Sequence, residues 1–246
     1  MSEFNEFDQQ GSVPERNTGS IISHAFEMYK GVILYAIVAM IIYLLADFLL
    51  QSIIGFNSWS GFRDFRNLDG DYSKYYGSLW NKPGVSLYYS FSSLLRILFA
   101  PLFVGLIYIT NKYNTKVPVE FSDLFIGYRQ NLGNILLYSL ITNIILGISF
   151  ALCFLPVLFV YPLFLIGYPI LLFENASGID ALSKTFAIAK ENYGVFLGTA
   201  LLGLLITISG ALLCCFGIIF TAPFITVAMY STYCAYLGKP KQIIHP

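Results

Sequence analysis

The residues able to do chemistry are few, and most of them sit inside apolar runs. Asp47 lies seven residues before the end of the first run at Ile54, and Arg96 lies eleven residues into the second, which begins at Val85. At about 1.5 Å of helix rise per residue, both would lie about 10–17 Å below the same membrane face. An unpaired charge at that depth costs several kcal/mol and usually finds a partner or a watery cavity. The spacing therefore predicts an Asp47–Arg96 ion pair. It is a structural lock of the first hairpin or the polar element of a substrate or ion site; the remaining reading is that the charges snorkel. Asn143, in the third run, is expected to donate a hydrogen bond between helices and is a further candidate for lining a cleft.

Beyond these, the chemical inventory is thin. The histidines are His24 and His245, and neither spacing supports a metal site. All four cysteines (Cys153, Cys214, Cys215, Cys234) fall in apolar segments, as small buried hydrophobes do. Cys153 and Cys214 or Cys215 would lie near the same membrane face, which leaves a disulfide between them open on composition grounds. No phosphate loop, dinucleotide fingerprint or paired-carboxylate motif appears. Glu174 and Asp180 flank a helix start that accounts for both. The expectation is no catalytic residues, no cofactor and no metal.

The elements that must position these residues are apolar. Hydrophobic residues make up 57% of the 246-residue chain and charged residues 11%, against about 25% charged in soluble domains. Net charge is zero, which gives no electrostatic case for a nucleic-acid partner. Runs long enough to cross a bilayer, roughly 20 residues, lie at about 32–54, 85–110, 132–154, 156–173, 194–215 and 217–237. The expected fold is an all-α transmembrane protein of six spans. They are read as three parallel repeats, each an amphipathic surface helix followed by a two-span hairpin, over about 19–110, 117–173 and 177–237.

The repeat is read residue by residue. Leu182, Phe186, Ala189 and Lys190 correspond to Phe121, Phe125, Tyr128 and Arg129, and to Ile22, Phe26, Tyr29 and Lys30. Gly194, Gly133 and Gly31 follow. The second span of each unit carries Pro101, Pro162 or Pro223, with Tyr108, Tyr168 or Tyr230 after it. A common order three times over is the mark of an internal repeat. In the third unit, Ser177 should cap the surface helix with Asp180. Ile179, Leu182, Phe186 and Ala189 should form its apolar face, and Asp180 should pair with Lys184 one turn on.

Residues 1–18 are polar and expected to be a disordered cytoplasmic tail, and 238–246 are expected to be a C-terminal cytoplasmic tail. Residues 55–84, rich in aromatics, form an expected extracytoplasmic loop at the membrane interface. Its Asp69-Gly70-Asp71 lacks the remaining ligands of a calcium loop. Arg16, Lys30, Lys112, Lys116, Arg129, Lys184, Lys190, Lys239 and Lys241 fall on one side. Arg63, Arg66, Lys74 and Lys82 fall on the other. The positive-inside rule then places both termini in the cytoplasm of a cell with an inner membrane. Lys30, Arg129 and Lys190 are expected at inner-leaflet headgroups.

The run Phe121-Ser-Asp-Leu-Phe-Ile-Gly-Tyr-Arg129, the segment Tyr168 to Asn175, Asp180-Ala-Leu-Ser-Lys184 and the order Gly210, Gly217, Pro223, Tyr230 resemble one bacterial family. It comprises the integral membrane domains found ahead of some glycerophosphodiester phosphodiesterases, together with stand-alone membrane proteins. The resemblance covers roughly residues 20–237 and implies a membrane module without an active site of its own. The expected function is non-enzymatic handling or transport of a lipid or small amphiphile, with the lipid bilayer as partner. The alternative is a membrane scaffold or assembly partner without its own ligand.

Overall fold

The computed structural model describes residues 11–57, 84–152, 154–212 and 217–240. Among them, all regular structure is helical. Helix α1 runs over Thr18–Ile54 and α2 over Val85–Asn114. A tight 3-10 turn at Phe121–Phe125 leads into the short α3, Ile126–Arg129, and then α4, Leu132–Leu152. The fourth apolar run is split into α5 (Phe154–Val160), a 3-10 turn (Tyr161–Phe164) and α6 (Gly167–Phe173). Helix α7, Gly178–Glu191, leads into α8, Tyr193–Leu212; the last run is split into α9 (Gly217–Thr221) and α10 (Phe224–Leu237). Six of these stretches are long and apolar enough to cross a membrane, matching the six expected spans. The chain divides into two units, Met1–Met40 with Ala100–Pro246, and Ile41–Phe99.

The three sequence units take three different local forms. In the first there is no separate surface helix, because α1 is continuous through Gly31. A Cβ on Gly31 would overlap the Tyr113 ring, so the glycine admits a close neighbour and makes no bend. The N-terminal part of α1 runs antiparallel along α10 over about 20 Å. Arg16 Nε donates to the Ala235 carbonyl (3.1 Å), Phe26 packs on Phe224 (4.6 Å between ring centres) and the Tyr29 hydroxyl donates to the Phe220 carbonyl (2.6 Å). In the second unit the surface element is the 3-10 turn with α3, pressed backbone to backbone on α2. A Cβ on Gly105 would strike the Leu124 carbonyl, and one on Gly127 the Pro101 carbonyl.

Only the third unit has a full surface helix. Ser177 Oγ accepts from the Asp180 amide (3.1 Å), the expected N-cap. Gly178, Ala181, Thr185 and Ala189 face protein; of the expected apolar face, Ala189 and the half-buried Leu182 lie on this side, whereas Ile179 (65% exposed) and Phe186 (45%) point outward. Lys184 pairs with Glu174 (2.5 Å) rather than with Asp180, whose carboxylate accepts from the Ser177 hydroxyl (2.6 Å).

The expected N-terminal tail is also corrected over its described part. Residues 11–17 are fixed: Pro14 is buried, and both main-chain groups of Ser12 bond to the Asn114 side chain at 2.9 Å. The rest of that tail, residues 58–83, Cys153, Cys214, Cys215 and His245 lie outside the described residues, and with them the disulfide and loop expectations.

Candidate functional site

Asp47 and Arg96 belong to the smaller unit, where α1 and α2 run antiparallel. Phe56 stacks on Tyr88 (4.5 Å between ring centres), and Tyr43 meets Phe99 edge-on (5.7 Å). In this register Tyr88 faces Asp47 and donates its hydroxyl to the carboxylate (3.0 Å); Gln51 Nε2 donates to the other oxygen (2.7 Å). Arg96 lies eight residues further along α2, about 12 Å away along the axis. The expected Asp47–Arg96 pair is therefore not formed, and among the described residues Arg96 has no ion pair or hydrogen bond. The expectation places Asp47 and Arg96 at similar depth, but helix packing sets Tyr88, not Arg96, level with Asp47.

Asn143 is likewise corrected: its Nδ2 donates to the Ser139 carbonyl one turn back in its own helix (2.7 Å), not across helices. Lys30, Arg129 and Lys190 are all exposed, but they do not share one level. Lys30 follows Tyr29, which bonds Phe220 near the Gly217 end of the last span. Lys190 precedes α8, whose Phe196 packs on Tyr236 at the Leu237 end (5.0 Å). Arg129 is on the side of Lys190, because Asn131 Nδ2 donates to the Ala176 carbonyl (2.8 Å) and Asn134 accepts from the Gly178 amide (3.0 Å).

The larger unit holds a site that the residue inventory did not single out. Pro162 and Pro223 break the fourth and sixth spans, and a proline both removes an amide donor and displaces the preceding turn. The carbonyls at the breaks are taken up by hydroxyls from other helices, as a low-dielectric surrounding requires. Tyr193 donates to Phe159 (2.9 Å), Tyr138 to Phe164 (2.8 Å) and Tyr29 to Phe220 (2.6 Å). Between the two breaks is a groove of about 260 Å³. Val157, Leu158 and Tyr161 line it just before Pro162, and Ile225 just after Pro223. Ala200, Leu204 and Thr207 of α8 form its wall.

This volume exceeds the roughly 150 Å³ of a dry apolar cavity that takes benzene. It approaches the lower end, about 300 Å³, of small-molecule pockets. With Thr207 and Tyr161 as its polar members, it suits hydrocarbon and offers no charged group to bind. The signal for it was present in the sequence: prolines at matching places in two spans often mark a membrane binding site.

A second feature of this unit is a buried polar network. The Tyr230 hydroxyl donates to Asn111 Oδ1 (2.9 Å) and accepts from Asn114 Nδ2 (2.9 Å). His24 Nε2 faces the Ser12 carbonyl (3.2 Å), which can only accept, so that nitrogen carries the proton; Nδ1 takes the Ser231 hydroxyl (2.8 Å). His24 is thus buried against α10. Among the described residues, no cluster of His, Cys, Asp and Glu is placed to hold a metal ion. No family model, curated protein or solved structure matches the chain.

Proposed function

We propose that this multi-pass membrane protein binds the hydrocarbon part of a lipid or small amphiphile in the groove between its broken spans. In this reading it handles or moves that molecule without covalent chemistry of its own. The groove's apolar lining at two proline breaks is the observation that carries the proposal. A hydrocarbon tail gains by contact with Val157, Leu158, Leu204 and Ile225, and broken helices are where membrane proteins commonly place binding sites. The proposal extends to an inner membrane with both termini cytoplasmic, supported by the cation distribution. It also includes membership of the membrane-module family that residues 121–129 and 168–184 resemble.

The test is native mass spectrometry of the gently extracted protein with Ala200→Trp, which fills the groove from its wall. The wild type should retain a hydrocarbon-bearing molecule, and the variant should retain at least tenfold less at an unchanged thermal midpoint. Leu204→Trp serves as the second variant should the first unfold. Equal retention by folded variants would remove the groove from the function and favour a scaffold without its own ligand.

A further inference from the structure

The outward surface of α2 in the smaller unit carries two stripes. Ser86, Tyr89, Ser90, Ser93 and Arg96 are all exposed and, at about 100° per residue, fall within an arc of about 120°. Beside them runs an apolar stripe of Leu87 (57% exposed), Phe91 (48%), Leu94 (51%) and Leu98 (55%). The serines are not idle: Ser90 and Ser93 donate to carbonyls one turn back, at 2.9 and 2.8 Å, which leaves their oxygens turned outward as acceptors for water or a headgroup. The line of hydroxyls starts at the Val85 end of the helix and leads about 16 Å along it to Arg96.

Arg96 carries its guanidinium on this apolar span, and Asp47 is already engaged by Tyr88 and Gln51. A guanidinium there needs an anion of matching shape, and the planar fork pairs bidentately with phosphate. The adjoining leucines and phenylalanine favour an acyl chain beside that anion. From this charge complementarity and the paired stripes, we propose that Arg96 binds the phosphate of a glycerophospholipid, whose headgroup lies along Ser93, Ser90 and Ser86 and whose chain lies on the apolar stripe. The phospholipid class narrows the reading of the protein as a lipid handler and rests on it, but the site is separate from the groove.

The experiment titrates the purified full-length protein with phosphatidylglycerol, with diacylglycerol of the same chains and with inorganic phosphate, counting bound molecules by native mass spectrometry. Arg96→Gln should weaken phosphatidylglycerol binding at least tenfold and leave diacylglycerol binding unchanged; Arg96→Lys, which keeps charge but loses the fork, should fall between. Ser90→Leu with Ser93→Leu, which leaves the cation in place, should also weaken phosphatidylglycerol binding. Unchanged phosphatidylglycerol affinity in folded Arg96→Gln would overturn the proposal. So would displacement of the lipid by millimolar inorganic phosphate, which would assign the site to the free anion. The Ala200→Trp groove variant separates the two readings, because it should lower retention of both lipids, whereas Arg96→Gln should affect only the one that carries phosphate.

Discussion

Tyr230 shows what a single residue contributes to this protein. Its ring is fully buried, and its hydroxyl joins Asn111 and Asn114 of α2, so that α10 and α2 share one polar link inside an apolar core. Removing one partner of such a link strands a buried polar group, at about 1–3 kcal/mol. Tyr230→Phe, which leaves two buried asparagines short of a partner, should lower stability by that amount in detergent. Asn114→Ala should cost more, because the Ser12 amide also loses its acceptor and the Ser12 carbonyl one of its two donors. A double-mutant cycle on thermal unfolding measures the coupling, and additivity of the two losses would show that the link is not shared.

The same scale shows where reading residues one at a time reaches its end. Asp47 and Arg96 were visible as charges in apolar runs, and a half-buried carboxylate there calls for donors. Tyr88 and Gln51 meet that need instead. Tyr88 carries no charge, so nothing in its residue type set it apart from the other tyrosines.

Among elements, the six spans were legible because a bilayer demands about 20 apolar residues for each crossing. Their ends agree within a few residues wherever a loop or turn follows. The surface elements were less legible. An apolar stripe on a helix is compatible with contact to protein or to lipid, and on α7 the small residues took the protein side while Ile179 and Phe186 took the other. The glycines explain how the second surface element sits so close to α2. Gly105 meets the Leu124 carbonyl and Gly127 the Pro101 carbonyl, both of them main chain, which cannot rotate away as a side chain could. Gly105→Ala and Gly127→Ala should each destabilise by about 1–3 kcal/mol, the usual cost of overpacking. Gly133→Ala is the control, since a Cβ there meets nothing within 4 Å. Equal thermal midpoints for Gly105→Ala and Gly133→Ala would show that α2 and the 3-10 turn are less closely packed than described.

For the whole molecule, the governing quantities are helix length and the placement of cations. Helix α1 has 37 residues and α2 has 30. At about 1.5 Å per residue they reach about 55 and 45 Å, beyond the roughly 30 Å of hydrocarbon in a bilayer. Part of each must therefore lie outside the apolar layer, whichever part that is. Counting charges along the sequence treated Lys30, Arg129 and Lys190 as one set, but the neighbour of Lys30, Tyr29, reaches toward the Gly217 end of the last span, away from Arg129 and Lys190. The proposed orientation rests on the other eight cations named for that side, against four in residues 55–84. Six crossings return the chain to the side from which it started, so both termini should be cytoplasmic. A green fluorescent protein fused after Pro246 should fluoresce in cells, and an epitope placed at Gly70 should bind antibody only from outside. Antibody access to Gly70 from the cytoplasmic side alone, with a dark C-terminal fusion, would invert the orientation. It would then place Arg129 and Lys190 on the outer leaflet, and their attraction to anionic inner-leaflet headgroups would have to be given up.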